Sequence, residues 1–412
     1  MFDSERRLRH VPHLEAVASS EEGDPEWQTA MAGVVVLRLV DAWIEDGPSS
    51  IRQDEWGLRA VRNAIEAIES HEQIKTVLAS ITNLVESSSA IDMGLLAPRL
   101  MAYGQLLEYD SRWSLANDVY DTIVAHTHPV QEADLATQAH LRRGFCLRVI
   151  GDIRASLAAY ATAGEIASAA NDMVGVLRAR IGEAKGALAR GNMPRAQELL
   201  DETIERAAAH RLDSVHSMAL HDRSDVAFQM GDYQLAIKLA YQALAKTGTS
   251  RDRDRILGDI AGFFYLLGIH SAARDAYLIL AATAQEQYQR WTATLNLMEI
   301  AAADGEELLF EQYRRSVDVR ALPPKQEVLY WLQAGVGYGH LGNHDEARSF
   351  LERALTVAER HELNKMSFEA EEALRSLYQK KKTARRATPP EIPADIEEVA
   401  RILREGRMEI EV

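Results

Sequence analysis

The side chains best suited to chemistry in this 412-residue chain are 13 histidines, one cysteine and 62 carboxylates. Their spacing decides whether any of them can act together. A zinc hydrolase would set two histidines one helical turn apart with a glutamate beside the first, but His71-Glu72 and His361-Glu362 each lack the second histidine. His126 and His128 stand two apart beside Pro129, with no cysteine or carboxylate cluster nearby in sequence to complete a metal site. His216 and His221, five apart, share a helix face poorly. No glycine-rich loop ends in Gly-Lys-Ser or Gly-Lys-Thr, which argues against nucleotide hydrolysis by that route. Cys146 lies in apolar sequence, the setting of a buried structural thiol rather than a nucleophile. The pattern predicts no enzyme, no catalytic residue, no metal site and no cofactor.

Composition narrows the class further. A single cysteine rules out an intramolecular disulfide, and with no apolar run behind Arg6, Arg7 and Arg9 the expectation is a cytoplasmic protein. The longest early apolar run, Val34 to Leu37, is too short to span a bilayer, so no membrane association is expected. A formal net charge of −16 speaks against nucleic acid as a partner. Half of that excess sits in residues 1–90, which carry 16 acidic and 8 basic side chains.

The elements that must position any site announce themselves through their turns. Gly151-Asp152, Gly191-Asn192 and Gly231-Asp232 recur 40 residues apart, Gly268 follows 37 later, and Gly342-Asn343 lies two further steps of 37 on, with Gly305 between. A fixed period of this kind predicts a stacked array of helix pairs rather than a globule around one core. Ahead of it the pattern is helical but does not match the repeat. Residues 1–26 read as a polar lead-in. Val36, Leu39, Val40 and Trp43 form one apolar stripe; Val61, Ile65 and Ile68 a second; Ile74, Val77, Leu78, Ile81 and Leu84 a third. These predict a small helical bundle with Trp27, Trp43 and Trp56 as packing anchors.

The repeats resemble the tetratricopeptide repeat family. The last full unit carries Trp331, Gly335, Tyr338, Gly342-Asn343, Ala347, Leu351 and Ala354; others carry Ala227, Gly231-Asp232-Tyr233, Ala236, Ala240 and Ala243, and Gly144, Gly151-Asp152, Tyr160 and Ala163. Two more are built on Ala184, Ala187, Gly191-Asn192, Ala196 and Leu200, and on Ala261, Phe264, Gly268, Ala273 and Tyr277. Two units are degenerate: one on Gly104, Ala116 and Tyr120 with Ser111 at the turn, the other keeping only Gly305. Small residues at the paired positions let helices approach closely while larger ones fill the gaps between repeats. The expected fold is all-α, an α-solenoid of about seven long tetratricopeptide-like repeats with an N-terminal bundle. A period above the common ~34 residues implies longer helices and a deeper inner wall.

In this family the first helix of each pair lines the concave groove. Carrying that register over gives Gln138, Arg142, Phe145 and Arg148 from the second unit, and Arg178 and Lys185 from the third. The fourth supplies His221, Asp222, Asp225 and Gln229, the fifth Arg255, Asp259 and Tyr265, the sixth Asn296 and Glu299, and the seventh Gln333 and His340. The wall runs from basic to acidic to mixed amide and acid. Arginine pairs a carboxylate through two charge-assisted bonds, and an amide such as Asn296 can donate to and accept from an extended backbone, so a peptide or protein partner is expected there.

The layout, a small bundle followed by about seven long repeats, is similar to the Rap-type peptide-sensing regulators of bacteria, in which the groove binds a signalling peptide and the bundle grips a regulatory protein. Three regions are expected: a bundle over 1–92, the repeat array over 93–379, and a basic linker with a tail over 380–412. The linker carries Lys380, Lys381, Lys382, Arg385 and Arg386 before Pro389-Pro390. Ile396, Val399, Ala400 and Leu403 predict a short amphipathic helix, and Met408 to Val412 alternates like a strand or extended tail. The segment reads first as a packed or frayed terminal helix, and alternatively as a peptide-like ligand that docks in its own groove or a partner's. The favoured function is a non-enzymatic binding scaffold or regulator acting through the groove. The alternative is a structural subunit that forms a homo-oligomer or docks through its acidic bundle or convex face.

Overall fold

A computed structural model describes residues 9–361, 363–378 and 392–410, and among them the chain forms 21 α-helices, one short 3-10 turn and no strand. The chain divides into two compact units, residues 1–206 and 207–412. The first unit opens with α1 (Val11–Ser19), α2 (Pro25–Asp46), the short α3 (Pro48–Gln53), α4 (Glu55–Glu66) and α5 (Glu72–Ser87). Helix-turn-helix pairs follow: α6 (Met93–Tyr109) with α7 (Trp113–His126), and α8 (Ala133–Ile150) with α9 (Ile153–Ala169). Next comes α10 (Met173–Ala189) with α11 (Met193–Ala209), the latter running through the division.

The second unit continues with α12 (Asp213–Gln229) and α13 (Tyr233–Leu244), α14 (Ser250–Leu266) and α15 (His270–Thr283), and α16 (Gln287–Ala303) and α17 (Glu307–Ser316). It ends with α18 (Pro324–His340) and α19 (His344–Arg360), then α20 (Asn364–Tyr378) and α21 (Ala394–Ile410). Seven pairs are therefore present, most of them built on helices of 17 or 18 residues.

The turns explain the period. Gly151, Gly191, Gly231, Gly268, Gly305 and Gly342 all take positive φ, between 75° and 100°. Gly231 shows the arrangement: its amide bonds Phe228 O at 2.9 Å and the next amide, Asp232, bonds back to Ala227 O at 2.9 Å, closing the helix end. Asp232 then accepts from Leu235 N at 3.0 Å and caps α13. Between pairs the same left-handed residue recurs without glycine, at Asn171 (φ 57°) and Arg211 (φ 55°). From Gly151 to Gly231 the chain therefore turns every 20 residues, half the repeat read in the sequence. At the degenerate first pair, Ser111 takes the left-handed position with φ 60°.

One continuous core runs from Ala32 to Cys146 and joins the opening helices to α6, α7 and α8. Trp43 is fully buried in it, but Trp56 is 82% exposed and anchors nothing, a correction to the packing role expected of it. It stands second in α4, next to the Asp54 cap, on the face away from Leu58, Val61 and Ile65. Helix α2, at 22 residues, is long and apolar enough to cross a membrane by length and composition, and 67% of its apolar window is buried inside the protein.

Helix α21 packs on α13 and α15, the second helices of their pairs, burying Ile396, Val399 and Leu403. It is thus a packed terminal helix, the first of the two readings given for this segment, and among the described residues it contacts second helices rather than a groove between first helices. Met408 to Ile410 complete this helix instead of forming a strand, because Arg404 and Arg407 continue its register toward Asp275. The basic linker expected over residues 380–391 and the Val412 carboxylate lie outside the described residues.

Candidate ligand-binding wall of the first helices

In the first unit, Arg142 on α8 donates from Nη1 to Glu108 Oε2 on α6 at 3.1 Å. The same carboxylate accepts from the Tyr120 hydroxyl at 2.6 Å, with Cys146 Sγ 3.9 Å from it. Burial, then the charge of Glu108, pushes the Cys146 thiol far above its ordinary range, so this residue is structural. Glu108 was missed in the sequence, yet the register that places Arg148 one turn after Gly144 places Glu108 one turn after Gly104.

Arg178, on α10, is half-buried, and no carboxylate among the described residues hydrogen-bonds it. Burial and then the positive charge of Arg142 lower its pKa, against the charges of Asp172 and Asp134, which raise it. Lys185 is half-buried further along α10. Gln138 is exposed and donates to Asp134 at 3.0 Å on its own helix. Phe145 packs edge-on against Trp113 at 5.5 Å, with the Arg148 guanidinium 5.4 Å from its centroid.

In the second unit, successive first helices are joined by polar contacts. His221 Nε2 on α12 lies 2.7 Å from Asp259 Oδ2 on α14. Tyr265, also on α14, is held above its ordinary pKa by burial and then by the charge of Glu299 and a hydrogen bond to it. Glu299, on α16, accepts from Gln333 Nε2 on α18 at 2.8 Å. His221, Asp222 and Gln333 are buried, and Asp225 is half-buried one turn after His221. Asn296 donates to the Thr292 carbonyl of its own helix at 2.9 Å, which leaves its amide oxygen as the group able to accept from a ligand. The expected residues thus fall into two sets, one per unit.

A further polar cluster, invisible in the sequence, lies under α1. His10 Nδ1 and His13 Nδ1 reach Asp118 at 3.2 and 2.6 Å, His10 Nε2 and His126 Nε2 reach Asp41 at 3.2 and 2.9 Å, and His13 Nε2 meets the Tyr103 hydroxyl at 3.2 Å. Burial alone would lower His10, but the Asp118 and Asp41 bonds outweigh it and carry His10 up to about 9. Against burial, the histidine bonds hold Asp41 and Asp118 below the usual carboxylate range. His13, fully enclosed, is lowered by burial despite its bond to Asp118. His126, read in the sequence as lacking a carboxylate, finds one 85 residues away.

No family model matches the chain, and no curated protein matches it in sequence. Among solved structures, a Rap protein complexed with competence and sporulation factor is 12% identical and aligns over 83% of this chain and 99% of its own, with a TM-score of 0.50. The apo form of the quorum sensor NprR from B. thuringiensis aligns over 78% of this chain and 97% of its own at 13% identity and TM-score 0.48. A Rap conjugation gene regulator of plasmid pLS20, in complex with the Phr* peptide, aligns over 85% and 98% at 13% identity and TM-score 0.46. At these identities the likeness concerns the fold, and the first of the three carries it across 83% of this chain and nearly the whole of its own. The chain has the tetratricopeptide-like α-solenoid fold of the Rap protein.

Proposed function

We propose that this protein is a non-enzymatic regulator or scaffold that binds a peptide or a peptide-like segment of a protein along its first helices. The observation that carries the reading is the Arg142–Arg178 pair. The two stand on successive first helices, α8 and α10; Arg142 is bonded to Glu108, and Arg178 is half-buried without a carboxylate hydrogen bond among the described residues. An anionic ligand group at Arg178 would take the two-pronged bonds that a guanidinium offers. Taken by itself, the carboxylate-rich wall of the second unit suits a cationic or amide-bearing group, with Asn296 and Gln333 as backbone contacts. The Rap structure that shares this fold is complexed with a factor, which fits a binding role.

The test is selection of short peptides from a random library with free C-terminal carboxylates on the full-length protein, followed by affinity measurement on Arg178→Gln and Arg142→Gln. Selected peptides should lose roughly tenfold or more in affinity to each variant, the scale of a charge-assisted hydrogen bond. Peptides that bind both variants like wild type would move recognition away from this wall.

A further inference from the structure

We propose that His221, Asp225 and Asp259 form a binding site for a divalent transition-metal ion of the zinc class. Each offers one ligand atom, and these atoms all lie within 4.8 Å of one another. His221 and Asp225 stand one turn apart on α12, so both project from one face, and Asp259 enters from α14. Ligand bonds of roughly 2.0–2.2 Å place two donors on one ion about 3 to 4 Å apart. The three groups therefore reach one ion by side-chain rotation, in which the 2.7 Å contact between His221 Nε2 and Asp259 Oδ2 and the existing interaction of Asp225 give way.

Two further features point to a ligand. The His221 side chain is 4% exposed, and its Nδ1 has no hydrogen-bond partner among the described residues. With Nε2–H donating to the Asp259 carboxylate, Nδ1 keeps a lone pair that no group among the described residues uses. Both aspartates are half-buried, and 41% of the Asp259 side chain is open, so solvent and ligand reach the cluster. An imidazole with two carboxylates suits zinc-class ions better than calcium or magnesium, which prefer oxygen ligands throughout. Three protein ligands leave at least one position open, as in zinc sites that bind a water or substrate. From its place among the first helices, that position would take a carbonyl or carboxylate of a bound peptide. This role rests on the groove reading above; the ion binding itself does not.

The experiment uses tag-free, chelator-stripped full-length protein titrated with Zn²⁺ against a competing chromophoric chelator. Wild type should bind one tight equivalent, and Asp225→Asn and Asp259→Asn should each weaken it by tenfold or more with far-UV circular dichroism unchanged. Co²⁺ in place of Zn²⁺ should develop visible absorption bands that both variants lose. No stoichiometric Zn²⁺ on wild type, or equal affinity in the Asp225→Asn/Asp259→Asn double variant, overturns the site. Peptide selection on the arginine variants is read without metal, so failure of one proposal is separable from failure of the other.

Discussion

At the residue scale, the His10–Asp41–Asp118 cluster sets a pH dependence whose sign follows from its shifts. His10 is raised from 6.5 to about 9 in the folded chain, so its contribution is fully present below 6.5 and is lost as pH rises through about 9. Asp41 and Asp118 are lowered from 3.8, so theirs is present above that value and is lost as pH falls below it. Replacing His10 by Gln should lower the unfolding free energy by about 1–3 kcal/mol at pH 7, the scale of bonds to charged groups. The gap between variant and wild type should narrow from pH 7 to pH 10, measured by urea unfolding at each pH. A gap that stays constant would mean His10 is neutral in the folded protein. Nothing in the sequence disclosed this cluster, because its bonds span 31, 85, 105 and 108 residues and no local period links them. That the expected residues fall on first helices was legible for a different reason: the turn glycines fix where each first helix ends. Trp56 shows the limit of reasoning by residue type, since its helix faces its aliphatic stripe inward and leaves the indole outside.

At the element scale, two kinds of glycine hold the helix pairs, and they are expected to fail differently. Gly182, within α10, lies so close to the Tyr160 ring that an added Cβ would stand 2.3 Å from Cδ1. Gly182→Ala should therefore destabilise the first unit by about 1–3 kcal/mol through overpacking. Gly231 has nothing within 4 Å of the same added atom, but its φ of 79° is strained for any side chain. Gly231→Ala should cost about 1 kcal/mol through the backbone alone. Thermal unfolding of both variants checks the pair, and an unchanged midpoint for Gly182→Ala would mean the Tyr160 ring swings aside at little expense. The intra-pair turns were readable because glycine marks them. The turns between pairs were not, because Asn171 and Arg211 occupy the left-handed conformation with side chains that give little or no such signal. Ser156 is similar: it stands where the repeat pattern expects alanine, and it fits because its hydroxyl donates to Gly144 O at 2.7 Å.

At the scale of the whole molecule, an array in which each pair contacts mainly its neighbours gains stability locally, so damage should stay local too. Helix α21 offers the means to ask whether it does. Its apolar face, Ile396, Val399 and Leu403, closes over α13 and α15, while Arg407 reaches the buried Asp275 carboxylate at 3.0 Å and Lys238 meets Asp395 at 3.2 Å. The Lys238 contact is exposed and adds little, so most of the grip comes from apolar burial and from Arg407. Leu403→Ala, which removes a side chain in a residue only 4% exposed, should destabilise by about 2–4 kcal/mol wherever α21 is coupled to the rest. In native-state hydrogen exchange, amides of α13 and α15 should lose protection in this variant while those of α6, α7 and α8 keep theirs. Equal loss in both sets would show that the two units unfold as one cooperative block, and α21 would then stabilise the entire chain rather than the outer layer it covers.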